Sequence, residues 1–260
     1  MVENLIKDIE TLEDKLEIFR DSEWTKKYNI TIGEFLNVIN RVLDDEQKKE
    51  LLKIDYIKKL GNIPIFQIIK SISDSKIKFN LINNKEIIKG LSTIDLYNII
   101  VEMDDSYKTH IISDKKLYEE QFKIPKEYIV AIIKEIKDSN LKIELMQKHE
   151  LEFYNICGIL KTCNDTDKVK VLRENKYNFR KWDIADILET VDEELLIELL
   201  NNKSELLDEY KLDSNAIISR FSDNKKLNLI LRIEDINITD EEKTSLIIFT
   251  FRIFYNRRIY

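Results

Sequence analysis

The chain has 260 residues, with 49 acidic and 42 basic side chains, a formal net charge of -7 and a hydrophobic fraction of 43% beside 35% charge. That balance excludes a disordered tail, and the interleaved charges lack the basic face with which a general nucleic-acid binder neutralises phosphates. Residues 1–6 offer no basic segment leading into an apolar one, and no apolar run approaches bilayer length, so the sequence reads as cytoplasmic and without membrane insertion.

Leu5, Ile9, Leu12 and Leu16 recur at helical spacing, so residues 2–19 are expected to form an amphipathic opening helix. With the linker that follows, residues 1–30 read as an N-terminal cap. Beyond it, a period recurs. Asp44, Asp74, Asp104, Asp138, Asn164, Asp192 and Asp223 are separated by 30, 30, 34, 26, 28 and 31 residues, and each is a residue type that caps helix N-termini.

Seven and eight residues after each anchor stands an apolar pair: Leu51-Leu52, Leu81-Ile82, Ile111-Ile112, Leu145-Met146, Val171-Leu172, Leu199-Leu200 and Ile230-Leu231. Upstream, a pair lies five and six residues back in Val38-Ile39, Ile68-Ile69, Ile132-Ile133 and Ile217-Ile218. It is one residue nearer in Ile99-Ile100, Ile159-Leu160 and Ile187-Leu188. The physical reading is a helix that ends at a tight turn, an Asp or Asn that caps new backbone N–H groups, and a second helix antiparallel to the first. Such hairpins are too small to bury their own faces, so neighbours must stack.

The expected fold is therefore all-α: an α-solenoid of about seven degenerate αα-hairpin repeats over residues 31–239, with capping helices at both ends of a single domain. Pro64 and Pro125 stand where first helices begin, and Gly61 and Gly90 follow apolar segments as helix C-caps do. Connectors such as residues 84–89 either extend the second helix or form a short third one. Cys157 and Cys163, six apart, match neither a disulfide framework nor CxxC spacing and read as reduced structural thiols. Residues 186–209 carry nine acids and one lysine, a local negative field. Residues 240–260 form the last helix, whose run from Leu246 to Tyr255 is too apolar to bury one face only.

In periodicity alone, residues 32–238 resemble the broad helical-repeat class that includes HEAT-like and tetratricopeptide-like arrays. The Trp/Gly/Tyr/Ala positions of the tetratricopeptide repeat and the TPLH turn of ankyrin repeats are missing.

Two sets of residues stand out as candidate sites. Position four after the anchor is Lys48, Lys78, Lys108, Lys142 and Lys168, then Leu196 and Leu227. Stacked hairpins would align those lysines as a ladder for an acidic peptide or phosphates, or else let them snorkel with their stems on the core. In the last helix, Ile248, Phe251, Phe254 and Tyr255 suit an oligomer or partner contact. His110 and His149 lack zinc spacing, the four glycines build no phosphate loop, and no nucleophile motif is found, so neither cofactor nor metal is expected.

The function expected from this reading is a non-enzymatic scaffold that binds another protein. The alternatives are a nucleic-acid-processing enzyme using a buried carboxylate and Trp182, or a self-assembling regulatory module.

Overall fold

A computed structural model describes residues 14, 17, 31–201, 218, 220–232, 234, 236 and 239–257. Of the expected N-terminal cap, only Asp14 and Glu17, both helical, fall among them. Among the described residues every regular element is a helix and none is a strand. None of these helices is long and apolar enough to cross a membrane. The chain divides into two compact units, Met1–Ile136 and Lys137–Tyr260.

The first unit contains α1 (Ile32–Val42), α2 (Asp45–Leu51), α3 (Asp55–Lys59), α4 (Asn62–Ser71), α5 (Ser75–Ile82), α6 (Lys85–Ile88), α7 (Thr93–Ile100), α8 (Asp105–Ser113), a π-helix (Lys116–Gln121) and α9 (Lys126–Glu135). Helix α1 packs on α4, α4 on α7 and α7 on α9, while α2 packs on α5 and α5 on α8. Two layers result. The upstream pairs fill the space between them: Ile39, Ile68, Ile69, Ile99, Ile100, Ile132 and Ile133 have no exposed surface, and Leu51, Ile82, Ile111 and Ile112 meet them from the second helices.

The second unit contains α10 (Ser139–Lys148), α11 (Phe153–Leu160), α12 (Asp165–Glu174), α13 (Lys181–Leu188), α14 (Glu193–Asn201), α15 (Asp223–Leu231) and α16 (Asp240–Arg257). Its packing follows the same rule, with α11 on α13 and α14 on α15, and α16 closes against α15. Ile159, Leu160, Ile187, Leu188, Leu172 and Leu196 are among its fully buried members.

Of the seven anchors, Asp44, Asp74, Asp138 and Asn164 cap their helices through the side chain, and Asp104 caps by position alone. The Asp192 carboxylate accepts from the Glu194 N–H. Asp223 is a correction, since it is the first helical residue of α15 and Ser222 is the N-cap. Moving that anchor back by one resolves two irregularities. The downstream apolar pair becomes Leu229-Ile230, which accounts for Leu231 being 76% exposed, and position four becomes Lys226, which is buried. The upstream Ile217-Ile218 then lies four and five residues back, as in the repeats with the nearer pair.

The two upstream spacings correspond to two turns. After α4 and α9 the C-cap residue is extended, at Ile72 (ψ 135°) and Ile136 (ψ 137°), and it buries its own side chain two residues before the anchor. After α7, α11 and α13 the C-cap stays in the right-handed helical region at Val101, Lys161 and Glu189. There the buried plug is the residue next to the anchor: Met103, Cys163 and Val191. After α1 the C-cap Leu43 is extended too and is itself the buried plug, next to Asp44. Each turn thus sinks one apolar side chain, and it is the C-cap conformation, not the place of the plug, that follows the upstream spacing.

The connectors resolve into separate elements. Helix α6 is a short third helix capped by Asn84, not an extension of α5. A Cβ at Gly90 would lie 1.9 Å from Asn62 Oδ1 at the start of α4, so a larger residue there would displace the Asn62 side chain. Gly61, at φ 99°, is the N-cap of α4, a backbone conformation that suits a residue without a Cβ. Pro64 falls in the first turn of α4 and Pro125 caps α9, where a missing N–H is harmless.

Candidate functional site

The five lysines of the predicted ladder are 3–5% exposed, so they do not face solvent as a ladder would require. Each sends its ammonium to the end of the first helix in the following pair. Lys48 Nζ donates to Ser71 O (3.0 Å), Lys108 Nζ to Glu135 O (3.2 Å), Lys142 Nζ to Thr162 O and Oγ1 (both 2.8 Å) and Lys168 Nζ to Thr190 O (2.9 Å). Lys78 instead reaches the Glu102 carboxylate at 3.2 Å. A cation there meets carbonyls that the helix leaves without intrahelical partners, and it opposes the negative end of the helix dipole. The stems pack as a snorkelling lysine's would, but the ammonium ends on protein.

A second bond accompanies the first at four of the junctions. There the residue after the anchor accepts the backbone N–H of the next anchor: Asp45 Oδ2 from Ser73 N and Asp74 N, Ser75 Oγ from Asp104 N, Ser139 Oγ from Asn164 N and Asp165 Oδ2 from Asp192 N. Where that residue is Asp it also pairs with the lysine three positions on, at 3.1 Å for Asp105–Lys108 and 2.8 Å for Asp165–Lys168. Burial works against the Asp165 carboxylate, yet the Lys168 ammonium and the Asp192 N–H outweigh it and hold the group below the usual carboxylate range. Lys and the preceding Asp or Ser therefore form a two-point lock between successive helix pairs.

The lock changes at α14, where position four is Leu196, fully buried. There Lys225, on α15, reaches back to the carbonyls of Glu189 and Val191, and Glu189 Oε1 accepts the Ser222 N–H at 2.8 Å. Arg232 pairs with Glu194 and Lys161 with Asp186, so part of the acidic field of residues 186–209 is met by the protein's own cations.

In the last helix, Leu246 is buried, whereas Ile248 (49%) and Phe251 (69%) are exposed. Phe254 and Tyr255 lie in the same helix, and their side chains fall outside the described residues. Trp182 is half exposed, with the Arg220 guanidinium 4.6 Å over its ring. His110 packs edge-on against Phe79, and among the described residues no group of three or more His, Cys, Asp or Glu is arranged to hold a metal ion. Burial, with Asp183 nearby, pushes the Cys157 thiol up to about 11, and burial raises Cys163 as well. Both thiols are thus kept protonated, as structural cysteines are.

A site that the sequence reading missed lies on the connectors of the first unit. A cleft of about 630 Å³ is lined by Lys85, Ile88 and Lys89 from α6 and its end, Leu91, Thr93 and Leu96 leading into α7, and Lys116, Glu120, Gln121, Phe122 and Lys123 from the π-helix and its end. The wide turn arises where Phe122 N donates to Leu117 O at 2.8 Å, five residues back. Gln121 Nε2 donates to Asn83 Oδ1 at 2.9 Å and ties that wall to the end of α5. Lys123 is held at φ 51°, in the left-handed region uncommon for a side chain of its size.

All four cleft lysines are exposed, and among the described residues none is ion-paired. Four cations against the single Glu120 make the cleft locally positive in a chain of net charge -7. The only hint in sequence is a modest lysine excess in two connectors that have no common register with the repeat.

No protein-family model matches the chain, and no curated protein aligns with it significantly.

Proposed function

We propose that the chain is an α-solenoid of helical hairpins that acts as a non-enzymatic, cytoplasmic protein-binding scaffold. The locks described above support the repeat reading, since at four junctions a lysine and the Asp or Ser three residues before it tie one helix pair to the next. A radius of gyration from small-angle scattering well above the roughly 18 Å of a compact 260-residue domain is expected. A value near that figure would sink the solenoid.

The observation that carries the binding role is a recurrent exposed apolar residue in the first turn of the first helices. It is Ile32 in α1, Ile63 in α4 and Ile94 in α7 of the first unit, and Tyr154 in α11 and Trp182 in α13 of the second. Ile63 is 73% exposed and Tyr154 78%. Single exposed apolar residues need no explanation, but their return at one place in α1, α4 and α7 of the first unit, and separately in α11 and α13 of the second, is the pattern of a contact surface in each unit; α9 interrupts it with Glu127. The test is capture of partners from the source cell with the intact chain and with an Ile63→Asp, Ile94→Asp double variant. A protein retained by the first, lost with the second and cross-linked to these helices is the expected result. No specific capture by the intact chain would overturn the reading.

Exposed Ile248 and Phe251 favour one second reading, self-association through the last helix. Light scattering that reports a strict monomer at high concentration would remove it.

A further inference from the structure

We propose that the lysine-lined cleft between α6 and the π-helix binds an acidic peptide segment of a partner protein, seating an aliphatic side chain of that segment on its floor. The inference rests on the scaffold reading and gives it a second contact of defined chemistry. Four features carry it.

The first is charge. Lys85, Lys89, Lys116 and Lys123 converge on one concavity from two connectors, while the rest of the lysine-rich pattern is spent internally: Lys48, Lys108, Lys142 and Lys168 on backbone carbonyls, and Lys78 on Glu102. An ammonium with no protein counter-ion keeps its attraction for an incoming carboxylate, and several together focus it.

The second is shape. A volume of about 630 Å³ suits a few residues of extended or helical peptide, and Ile88, Leu91 and Leu96 supply apolar wall beside the cations. The exposed Ile94 stands between the lining residues Thr93 and Leu96 and extends the apolar surface beyond the cleft.

The third is rigidity. The Gln121–Asn83 hydrogen bond and the backbone bonds from Phe122 N to Leu117 O and from Ile124 N to Tyr118 O hold the π-helical wall in one arrangement, so binding need not first order it.

The fourth separates peptide from nucleic acid. The cleft contains no arginine fork, and its one aromatic residue, Phe122, is buried, so no ring is offered for base stacking. Glu120 at the lining also opposes a continuous phosphate backbone more than it opposes a peptide, whose charges can be spaced around it.

The experiment is fluorescence anisotropy on the full chain with a labelled short peptide of alternating glutamate and leucine. The comparators are its lysine-leucine counterpart and an oligouridine RNA of matching charge. Three double variants are titrated: Lys85→Gln with Lys89→Gln, Lys116→Gln with Lys123→Gln, and, as a charge-matched control away from the cleft, Lys49→Gln with Lys53→Gln. Thermal melts confirm that each is folded. The glutamate-leucine peptide is expected to bind in a salt-sensitive way, with about a tenfold or greater loss in each cleft variant and less than about twofold in the control.

No peptide binding at low salt, equal losses in all three variants, or tighter binding of the RNA would each overturn the proposal. The same variants are then used against any partner captured in the scaffold test. A partner held equally well by the Lys85→Gln, Lys89→Gln variant leaves the scaffold standing and removes the cleft, whereas the absence of any partner removes the scaffold alone.

Discussion

At the turns of the first unit Lys48, Lys78 and Lys108 lie buried with their ammonium groups bonded to the next helix pair. In the connectors of the same unit Lys85, Lys89, Lys116 and Lys123 stand exposed with no counter-ion among the described residues. The residue type is the same, and its employment is opposite. Burying an ammonium costs several kcal/mol in lost hydration, and the turn lysines meet that cost because the end of a helix supplies carbonyl lone pairs and a favourable dipole to Lys48 and Lys108, and Glu102 supplies its carboxylate to Lys78. The connector lysines have neither acceptor nor burial and keep their charge for a ligand. A row of lysines in a helical array therefore says little until the register is known, because position four after the cap falls at an inter-pair junction and the connector positions do not.

The largest expected effect comes from breaking one lock while leaving its packing. Lys142→Met keeps an apolar stem of similar length and removes the bonds to Thr162 O and Oγ1. A hydrogen bond from a charged group is worth about 1.5–3 kcal/mol, so urea unfolding should show a loss of that order. Lys85→Gln and Lys116→Gln, on exposed connector positions, should stay within about 0.5 kcal/mol of the native chain. Equal losses at both places would dissolve the contrast.

A somewhat smaller effect tests the corrected register at α15. Buried Lys226 occupies the lock position once Ser222 is taken as the cap, whereas Leu227 occupies it if Asp223 is. Lys226→Met should cost about 1–2 kcal/mol, toward the low end because Lys225 also bonds across this junction. Leu227→Met, a volume-conserving change at a half-buried site, should cost less than about 1 kcal/mol. The reverse order of losses would restore the Asp223 register.

Much of this architecture was legible in the sequence because it depends on residue classes at fixed offsets. The apolar pairs Ile68-Ile69 and Ile111-Ile112 are buried as their spacing requires, and Asp44 and Asn164 cap because their side chains compete well for backbone N–H groups. The Asp223 error had a physical origin too. Both Ser222 and Asp223 are capping residues, and Phe221 fits either, since buried plugs stand one residue before some anchors (Met103, Cys163) and two before others (Ile72, Ile136). Only the burial of Lys226 and the exposure of Leu231 break the tie. The role of the lysine row was not legible, since sequence cannot show that a carbonyl of the next pair waits at the ammonium. The cleft was hidden for a different reason. It depends on a π-helical turn and a left-handed Lys123, which no periodicity announces.

The smallest expected effect distinguishes two versions of the lock by pH. At the turn after α11, Ser139 Oγ accepts the Asn164 N–H at 2.7 Å with a group that does not titrate in this range, whereas at the turn after α13 Asp165 accepts the Asp192 N–H at 2.8 Å with one that does. Folding holds the Asp165 carboxyl below its ordinary value. Its contribution is therefore fully present above the unfolded-state value, near 3.8, and is lost as pH falls through the lower folded-state value. Asp165→Ser copies the Ser139 arrangement and should remain folded at neutral pH with a modest loss, since Lys168 keeps its bond to Thr190 O. As the pH is lowered from 6 toward 2, the native chain should lose stability faster than the variant and the gap between their urea midpoints should close. Parallel curves would mean that the Asp165 charge adds nothing to the lock, which would then rest on hydrogen-bond geometry alone at both turns.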